Sequence, residues 1–289
     1  MGEYITIDIG GTFIKYALLN ENQQLSEVKQ AATNSNENQT IQKTVKRIVE
    51  EYTTTHMIKG IGISTAGIVQ REKSEVMYAG PTIPNYQGTN FAKVLSAYDL
   101  PVKVMNDVDA ALLGEIWKSN IDAKQSIYCM TLGTGIGGAW YSAGLIDGAH
   151  FQGNSIGYLL YNQETNTNFE ERASTKALNE NIAATFPTHP STQTVFEHAK
   201  KGDELCQRII AEWTYEVAKG IAQIILLIDP DTIVIGGGIS AQGDYLLQQI
   251  EVHLPKFLPD NFLKTNLEIA TLKNNAALYG AIYPFINNQ

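Results

Sequence analysis

The segment ITIDIGGTFIKYALLNE, near the start of the chain, places an acidic residue and two glycines between two apolar runs. A tight β-hairpin needs only Asn-Gly or Asp-Gly at its tip. Here Asp8 lies inside the end of the first run, and the hydroxyl of Thr12 follows Gly10 and Gly11. This arrangement is typical of a turn whose backbone N–H groups face an anion, with a carboxylate nearby to hold a cation.

The same combination of strand, glycine turn and strand occurs again in SIYCMTLGTGIGGAWYSAGLIDG, at 126–148. Short apolar runs predict strands, and apolar residues three and four apart predict helices. In the first half, strands are predicted at 4–8, 13–19, 25–31, 58–65 and 101–107, and helices at 36–54, 91–100 and 108–119. In the second half, the two strands around the turn are followed by a helical stretch at 169–228 that breaks near 187–190, a strand at 232–240, a helix from Tyr245, a strand at 267–271 and a last helix at 274–286.

Two halves of this kind, facing each other, would form an α/β protein with a cleft between two similar domains. A chain of 289 residues is long enough for two domains with a core each. No linker rich in Pro, Gly or Ser separates the halves, which favours a helix-flanked hinge near residue 110. We therefore expect a small domain at 1–110, completed by the helix at 274–289, and a larger domain at 111–273.

The overall composition excludes several classes of protein. The net charge is −9 without a Lys/Arg cluster, which argues against a nucleic-acid partner. No apolar run approaches the ~18 residues of a membrane span, and the N-terminus lacks the pattern of a secretory signal. The two cysteines, Cys129 and Cys206, lie in apolar segments and are expected to be buried thiols. These features predict a cytoplasmic protein with no membrane partner.

The turn GTGIGG, at 133–138, allows three interpretations. It matches the G-x-G-x-x-G dinucleotide fingerprint, but that fingerprint opens a helix and the following AWYSAGLI alternates like a strand. It could also be a hairpin without a ligand. Because the same glycine turn between strands occurs in both halves, a third interpretation is that the two turns bind one polyphosphate from opposite sides. A further cluster, IGGGIS at 235–240, would let a flat ring approach the backbone closely.

Four motifs in this order, DIGGTFIK, NDVDAALLGE, TLGTGIGGAW and IVIGGGIS, resemble the ROK family of sugar kinases. The resemblance spans nearly the whole chain. It implies the actin-like ATPase fold (hexokinase-type, ribonuclease H-like), with two similar domains around a cleft. It also implies that ATP and Mg²⁺ are used to phosphorylate a hydroxyl of a small-molecule sugar.

The resemblance assigns roles to individual residues. It makes Asp107 the catalytic base, which is chemically reasonable because the attacking hydroxyl must lose its proton. The alternative is that Asn106 or Asp107 only caps the following helix. Sugar contacts are implied for Asn85, Asn106 and Asp107, and Asp8 is implied to lie near the metal. The implied nucleotide-binding residues are Asp8, Gly10, Gly11, Thr12, Lys15, Thr134, Gly135, Gly237 and Gly238.

The chain departs from the family pattern at two places. The family commonly has Glu and His where GNSIGYLL places Ser155 and Tyr158, the expected sugar-contacting residues here. Losing a charge-assisted hydrogen bond would lower sugar affinity by roughly 1.5–3 kcal/mol. His150 or Tyr158 could compensate, or the substrate could carry a substituent at that position. The family's Cys-rich zinc loop is replaced by YNQETNTNFEERAST, which predicts no zinc site and a loop held by packing.

The leading hypothesis is an ATP-dependent hexose or glucoside kinase, with O6 favoured by analogy, of the zinc-free β-glucoside kinase and glucokinase-like branch. The alternative is a catalytically silent sugar-binding sensor of the same fold, which Ser155 alone favours. The family's DNA-binding repressors are disfavoured by the acidic balance and the first strand at Tyr4. A homodimer is expected, because family members are often dimers.

Overall fold

The computed structural model describes residues 2–80 and 83–287, which form two compact α/β units. The first comprises the described residues of Met1–Asp122, Asp147–Gly153 and Asn274–Gln289, and the second comprises Ala123–Ile146 and Asn154–Lys273. Residues 1, 288 and 289 of the predicted small domain lie outside the described residues. Residue 110, the predicted boundary, lies inside a helix that belongs entirely to the first unit.

The strands that flank the two glycine turns are present at the predicted places along the chain. The strands are β1 (Glu3–Ile9), β2 (Phe13–Leu19), β3 (Lys29–Ala32), β4 (Ile58–Thr65), β5 (Ile68–Gln70), β6 (Glu75–Tyr78), β7 (Val102–Asn106), β8 (Ile127–Leu132), β9 (Ile136–Tyr141), β10 (Thr232–Gly236) and β11 (Asn266–Ile269). The first unit contains a sheet in the order β3-β2-β1-β4-β7 and the small antiparallel pair β5-β6. The second contains a sheet in the order β11-β10-β8-β9.

The helices pack on these sheets through apolar stripes. They are α1 (Thr40–Thr53), α2 (Phe91–Val94), α3 (Asp107–Lys118), α4 (Phe169–Ala173), α5 (Thr175–Thr185), α6 (Thr192–Lys200), α7 (Glu204–Ile228), α8 (Asp244–Glu251), α9 (Ala276–Gly280) and α10 (Tyr283–Ile286). Short 3₁₀ stretches include Asn34–Gln39, Ile156–Tyr158 and Gly238–Gln242. In the described part of the chain, no helix has the length and apolar character needed to cross a bilayer.

The core of the first unit lies against the central parallel strands. Ile5, Ile7 and Ile9 of β1 are fully buried, as expected for a strand that pairs in parallel with β4. The predicted apolar stripe of α1 is confirmed, since Ile41, Val45, Ile48 and Val49 are all buried. In the second unit, the long helix α7 buries an apolar face in the core beside β8 and β10.

Several predicted elements differ from the structure. The strand predicted at 25–31 is only Lys29–Ala32, because the Ser26 hydroxyl accepts the hydrogen bond of the Leu18 N–H at 3.0 Å in place of a ladder carbonyl. The β5-β6 pair was not predicted. The helical stretch at 169–228 is four helices, separated at Ser174, at 186–191 and at the turn before Asp203. The predicted last helix ends at Gly280, because Pro284 cannot donate to that carbonyl.

The zinc-free loop is held by Arg172 of α4, not by packing alone. Its guanidinium donates to the backbone carbonyls of Thr167, Asn168 and Leu160, at 2.7, 3.0 and 2.5 Å. It also pairs with Glu216 of α7 at 3.1 Å. A planar cation with several donors can join separate carbonyls in one geometry, which packing contacts cannot.

We predict that Arg172→Lys destabilises the protein by about 2–3 kcal/mol, because an ammonium cannot reproduce these bonds to the loop. Urea unfolding measures the change. The matched control is Arg208→Lys. Arg208 forms an exposed ion pair with Glu212 at 3.9 Å, so its replacement should change the free energy of unfolding by less than ~1 kcal/mol. Equal effects of the two substitutions would contradict the role of Arg172.

Helices α3 and α9 approach so closely that each presents a glycine to the other. A Cβ on Gly280 would lie 1.6 Å from the Ala110 carbonyl oxygen, and one on Gly114 would lie 2.1 Å from that of Ala276. Both obstacles are backbone atoms, which cannot rotate away. The helices would have to separate to admit a methyl group.

Gly280→Ala is therefore expected to lower the free energy of unfolding by about 1–3 kcal/mol. The direction is informative because alanine favours an isolated helix by about 1 kcal/mol over glycine. Urea unfolding of the variant and the wild type decides the sign. A more stable variant would show that the helices do not pack this closely.

Candidate active site

Asp8 lies at the carboxyl end of β1, directly before the first glycine turn. The hydroxyl of Ser64 on β4 donates to Asp8 Oδ1 at 2.8 Å. Lys15 lies on β2, opposite Asp8 in the antiparallel pair of β1 and β2. Burial raises the pKa of Asp8, opposed by the Ser64 hydrogen bond and the charge of Lys15. The turn at 10–12 is closed by a hydrogen bond from the Gly10 N–H to the Phe13 carbonyl at 3.0 Å. The structure thus places Asp8 and Lys15 beside the predicted phosphate turn.

Asp107 is the first residue of α3, where β7 ends. Burial, followed by the charge of Asp8, raises its pKa to about 7, against hydrogen bonds from backbone N–H groups and from Asn106. The Val108 N–H donates to Asp107 Oδ1 at 3.1 Å. A carboxyl that titrates near neutral pH is suited to accept a proton from a hydroxyl.

Asn106 is the N-cap of α3. Its Oδ1 accepts from the N–H groups of Val108 and Asp109, at 2.8 and 3.3 Å, and its Nδ2 donates to the Gly67 carbonyl at 2.8 Å. The capping alternative therefore applies to Asn106. Its amide also donates a hydrogen bond to the Asp107 carboxylate.

Asn85 lies on an exposed loop of the first unit with a left-handed backbone, at φ 56°. The loop is fixed by the next residue, Tyr86, which is 1% exposed and shares a 2.7 Å hydrogen bond with the Thr65 hydroxyl. Thr65 ends β4. The loop that carries Asn85 is thus anchored at the same sheet edge as Asp8 and Asp107.

The second glycine turn joins β8 and β9 in the second unit. Its Gly133 carbonyl accepts from the Thr175 N–H at 2.9 Å, which fastens the turn to the start of α5. Glu170 accepts from the Ile136 N–H at 3.2 Å, and a Cβ on Gly135 would lie 2.6 Å from the same carboxylate oxygen. The Glu170 carboxylate therefore lies against the second glycine turn.

Glu170 is a candidate site residue that the sequence interpretation missed. Its carboxylate also lies close to Gly157, since a Cβ there would be 2.8 Å away. Gly157 stands between the predicted sugar residues Ser155 and Tyr158, which are both exposed. The sequence signal was the pair Glu170 and Glu171 in FEERAS, at the start of α4. This pair lies fifteen residues beyond Ser155, where the family pattern would place the Glu.

The third glycine cluster contacts the second turn and borders a cavity. Gly237 has φ 89°, and a Cβ there would lie 2.3 Å from the Leu132 carbonyl oxygen. A Cβ on Gly238 would meet nothing within 4 Å. The cavity has a volume of about 700 Å³, within the range of small-molecule sites. It is lined by Leu132, Gly133, Thr134, Thr175, Lys176, Asn179, Thr192, Gln193, Glu197, Lys200, Gly238, Ile239, Ala241 and Gln242.

Among the described residues, the one group spaced to hold a metal consists of His198, Asp203 and Cys206. Asp203 is the N-cap of α7 and accepts from the Cys206 N–H at 2.9 Å. Burial, together with the Asp203 carboxylate, raises the pKa of the Cys206 thiol to about 11, which disfavours the thiolate that binds metals. The geometry therefore assigns Asp203 a capping role.

Comparison with known proteins extends these observations to the whole chain. A β-glucoside kinase of Listeria monocytogenes is 29% identical to this chain. The alignment covers 98% of this chain and 97% of the kinase. A ROK family protein of Streptococcus pneumoniae, solved in complex with sucrose, superposes with a TM-score of 0.85 at 26% identity, covering 99% of this chain and 98% of its own.

A ROK family glucokinase of Streptomyces griseus, solved with glucose and AMPPNP, gives a TM-score of 0.82 at 24% identity over 97% of this chain and 98% of its own. These matches confirm the predicted α/β fold of the actin-like ATPase type. The model of the ROK family matches residues 4–287. The chain therefore belongs to the ROK family.

Proposed function

We propose that this ROK-family carbohydrate kinase transfers the γ-phosphoryl group of ATP to a sugar hydroxyl, with Asp107 as the general base. The position of Asp107 carries the proposal. It is a half-buried carboxyl at a sheet edge, on a helix N-terminus, with a pKa raised to about 7. As the hydroxyl oxygen forms its bond to phosphorus, its proton passes to the Asp107 carboxylate, and the bond to the ADP oxygen breaks. O6 of a hexose or glucoside is the proposed acceptor.

The nucleotide is proposed to use the glycine turns and the cavity. Gly10, Gly11 and Thr12 of the first unit form one turn suited to phosphates, with the cation of Lys15 beside it. Thr134 and Gly135 belong to the corresponding turn of the second unit. Gly238 borders the cavity, which is large enough for an adenosine, and leaves room where a side chain would intrude. Gly237 lets the same segment pass close to the Leu132 carbonyl.

Mg²⁺ is proposed to bind near Asp8. The residues present fit a hard cation, because Asp8 and Asp107 are both half-buried carboxylates and the charge of Asp8 raises the pKa of Asp107. When bound, the ion would neutralise charge on the transferred phosphoryl group. Asp8 would hold it through carboxylate oxygen, and Ser64 orients that carboxylate.

The sugar is proposed to contact Asn85, Asn106 and Asp107, and also Ser155 and Tyr158. Glu170 supplies a carboxylate beside Gly157, between the latter two residues, and compensates for the Glu that Ser155 replaces. This argues for retained catalysis over the sensor alternative, which rested on Ser155. The homodimer stays a prediction, which light scattering after size-exclusion chromatography measures.

The test is ADP release from ATP·Mg²⁺ across glucose, mannose, fructose, N-acetyl sugars and β-glucoside disaccharides. We expect one sugar class to stimulate ADP release and Asp107→Asn to lower kcat by about 10²–10⁴-fold, the usual worth of a general base. Thermal stabilisation by a sugar without turnover would instead identify a sensor.

Asp107→Asn also has an expected effect on stability that separates lost chemistry from misfolding. The folded-state pKa of Asp107 is raised from about 3.8 to about 7, so ionisation opposes folding as the pH rises through this window. The variant should therefore be more stable than the wild type at pH 8 in Mg²⁺-free buffer, and the difference should vanish near pH 4. Thermal melts at both pH values measure this, and a variant less stable at pH 8 would contradict a buried charge.

Gly238→Val tests the cavity, because a side chain there meets no protein atom and would occupy ligand space. We expect the KM for ATP to rise about tenfold or more, with the KM for sugar and the melting temperature unchanged. Gly238→Ala is the graded control and should have a smaller effect. An unchanged KM for ATP in Gly238→Val would place the nucleotide elsewhere.

A further inference from the structure

A strained segment precedes α1 in the first unit. Asn34, Asn36, Asn38 and Gln39 have positive φ values of 49°, 52°, 52° and 61°. Such conformations are unfavourable for residues with a side chain, and asparagine tolerates them best. A run of them persists only where surrounding contacts impose it, and strain of this kind concentrates at functional sites.

The start of this segment is bonded to the first phosphate turn. Thr33, which is 1% exposed, donates from its hydroxyl to the Gly10 carbonyl at 2.7 Å. Its backbone N–H donates to the Thr12 carbonyl at 3.0 Å. Both ends of the 10–12 turn are therefore fixed to one residue.

Three residues later, the same segment is bonded to the loop that carries Asn85. Asn36 is fully buried, and its Nδ2 donates to the Asn85 carbonyl at 3.0 Å and the Pro84 carbonyl at 3.3 Å. Its Oδ1 accepts from the Ile41 N–H at 3.1 Å, at the start of α1. A buried amide whose two ends are both used holds two backbone segments in one register.

We propose that Thr33 and Asn36 are positioning residues that couple the phosphate turn at 10–12 to the sugar loop at 83–86. The inference rests on the proposed function, since it takes the turn to bind nucleotide and Asn85 to bind sugar. Nucleotide that orders the turn acts through Thr33 and Asn36 on the sugar loop. By thermodynamic linkage, sugar tightens nucleotide binding by the same factor.

Asn36→Asp isolates the coupling contact. The carboxylate keeps an oxygen for the Ile41 N–H but has no N–H for the Pro84 and Asn85 carbonyls. Asn38→Asp is the matched control: it makes the same change two residues away, at the same φ, in an exposed residue whose side chain has no hydrogen bond among the described residues. Both variants replace one amide by a carboxyl group in the same segment.

We expect Asn36→Asp to raise the KM for sugar at least tenfold, while the affinity for AMPPNP in the absence of sugar changes less than threefold. The affinity for sugar should also lose its dependence on AMPPNP, measured by calorimetry with and without the nucleotide. Thr33→Val, which removes only the hydroxyl, should weaken the same dependence, and Thr33→Ser should retain it. If Asn36→Asp and Asn38→Asp give equal KM values and equal coupling, the proposal is overturned.

Hydrogen–deuterium exchange tests the coupling independently of turnover. AMPPNP should slow exchange in the peptide that covers 83–90 in the wild type and Asn38→Asp, and not in Asn36→Asp. No slowing in the wild type would overturn the coupling, whatever the enzyme assay shows. No turnover on any sugar, with the slowing intact, would reject the proposed function and leave the coupling established.

Discussion

The parallel pairing of β1, β4 and β7 is the constraint on which the catalytic edge depends. Their register places Asp8 opposite Ser64 and Thr65 opposite Asn106, so the polar groups that end the three strands share one edge. Ligands of open α/β sheets bind at the carboxyl ends of parallel strands. The Asn85 loop and the segment at 33–36 are in turn anchored to residues of this edge, through Thr65 and Gly10.

Bringing two carboxylates to this edge is unfavourable for folding. Both Asp8 and Asp107 are half-buried, and the pKa of each is raised. The sheet tolerates this because its apolar strands are buried along their length, with Ile5, Ile7 and Ile9 fully covered. Burial of the apolar strands thus stabilises the sheet, and the two carboxylates at the strand ends, where a proton acceptor is needed, offset part of that stabilisation.

The sequence predicted the elements whose signals are local. The glycine turns, the α1 stripe and the positions of Asp8 and Asp107 follow from motif and periodicity. The capping role of Asn106 could be stated only as an alternative, because its amide partner Gly67 is 39 residues away. Glu170 acts on a turn 34 residues away, and Arg172 joins its own loop to Glu216, 44 residues away, so both roles depend on the folded structure and not on a local pattern. The β5-β6 pair is too short for periodicity to identify.

Two residues of the second unit act on different parts of it from one helix. Arg172 bonds the backbone of the loop at 160–168, and Glu170 brings a carboxylate beside Gly157. Both lie on the five-residue helix α4, and its N-cap Asn168 is held by Glu171 at 2.7 Å. A short helix is marginal by itself, so α4 depends on the contacts of Phe169 and Ala173 with the core. Fixing α4 therefore fixes the loop and the Glu170 carboxylate together.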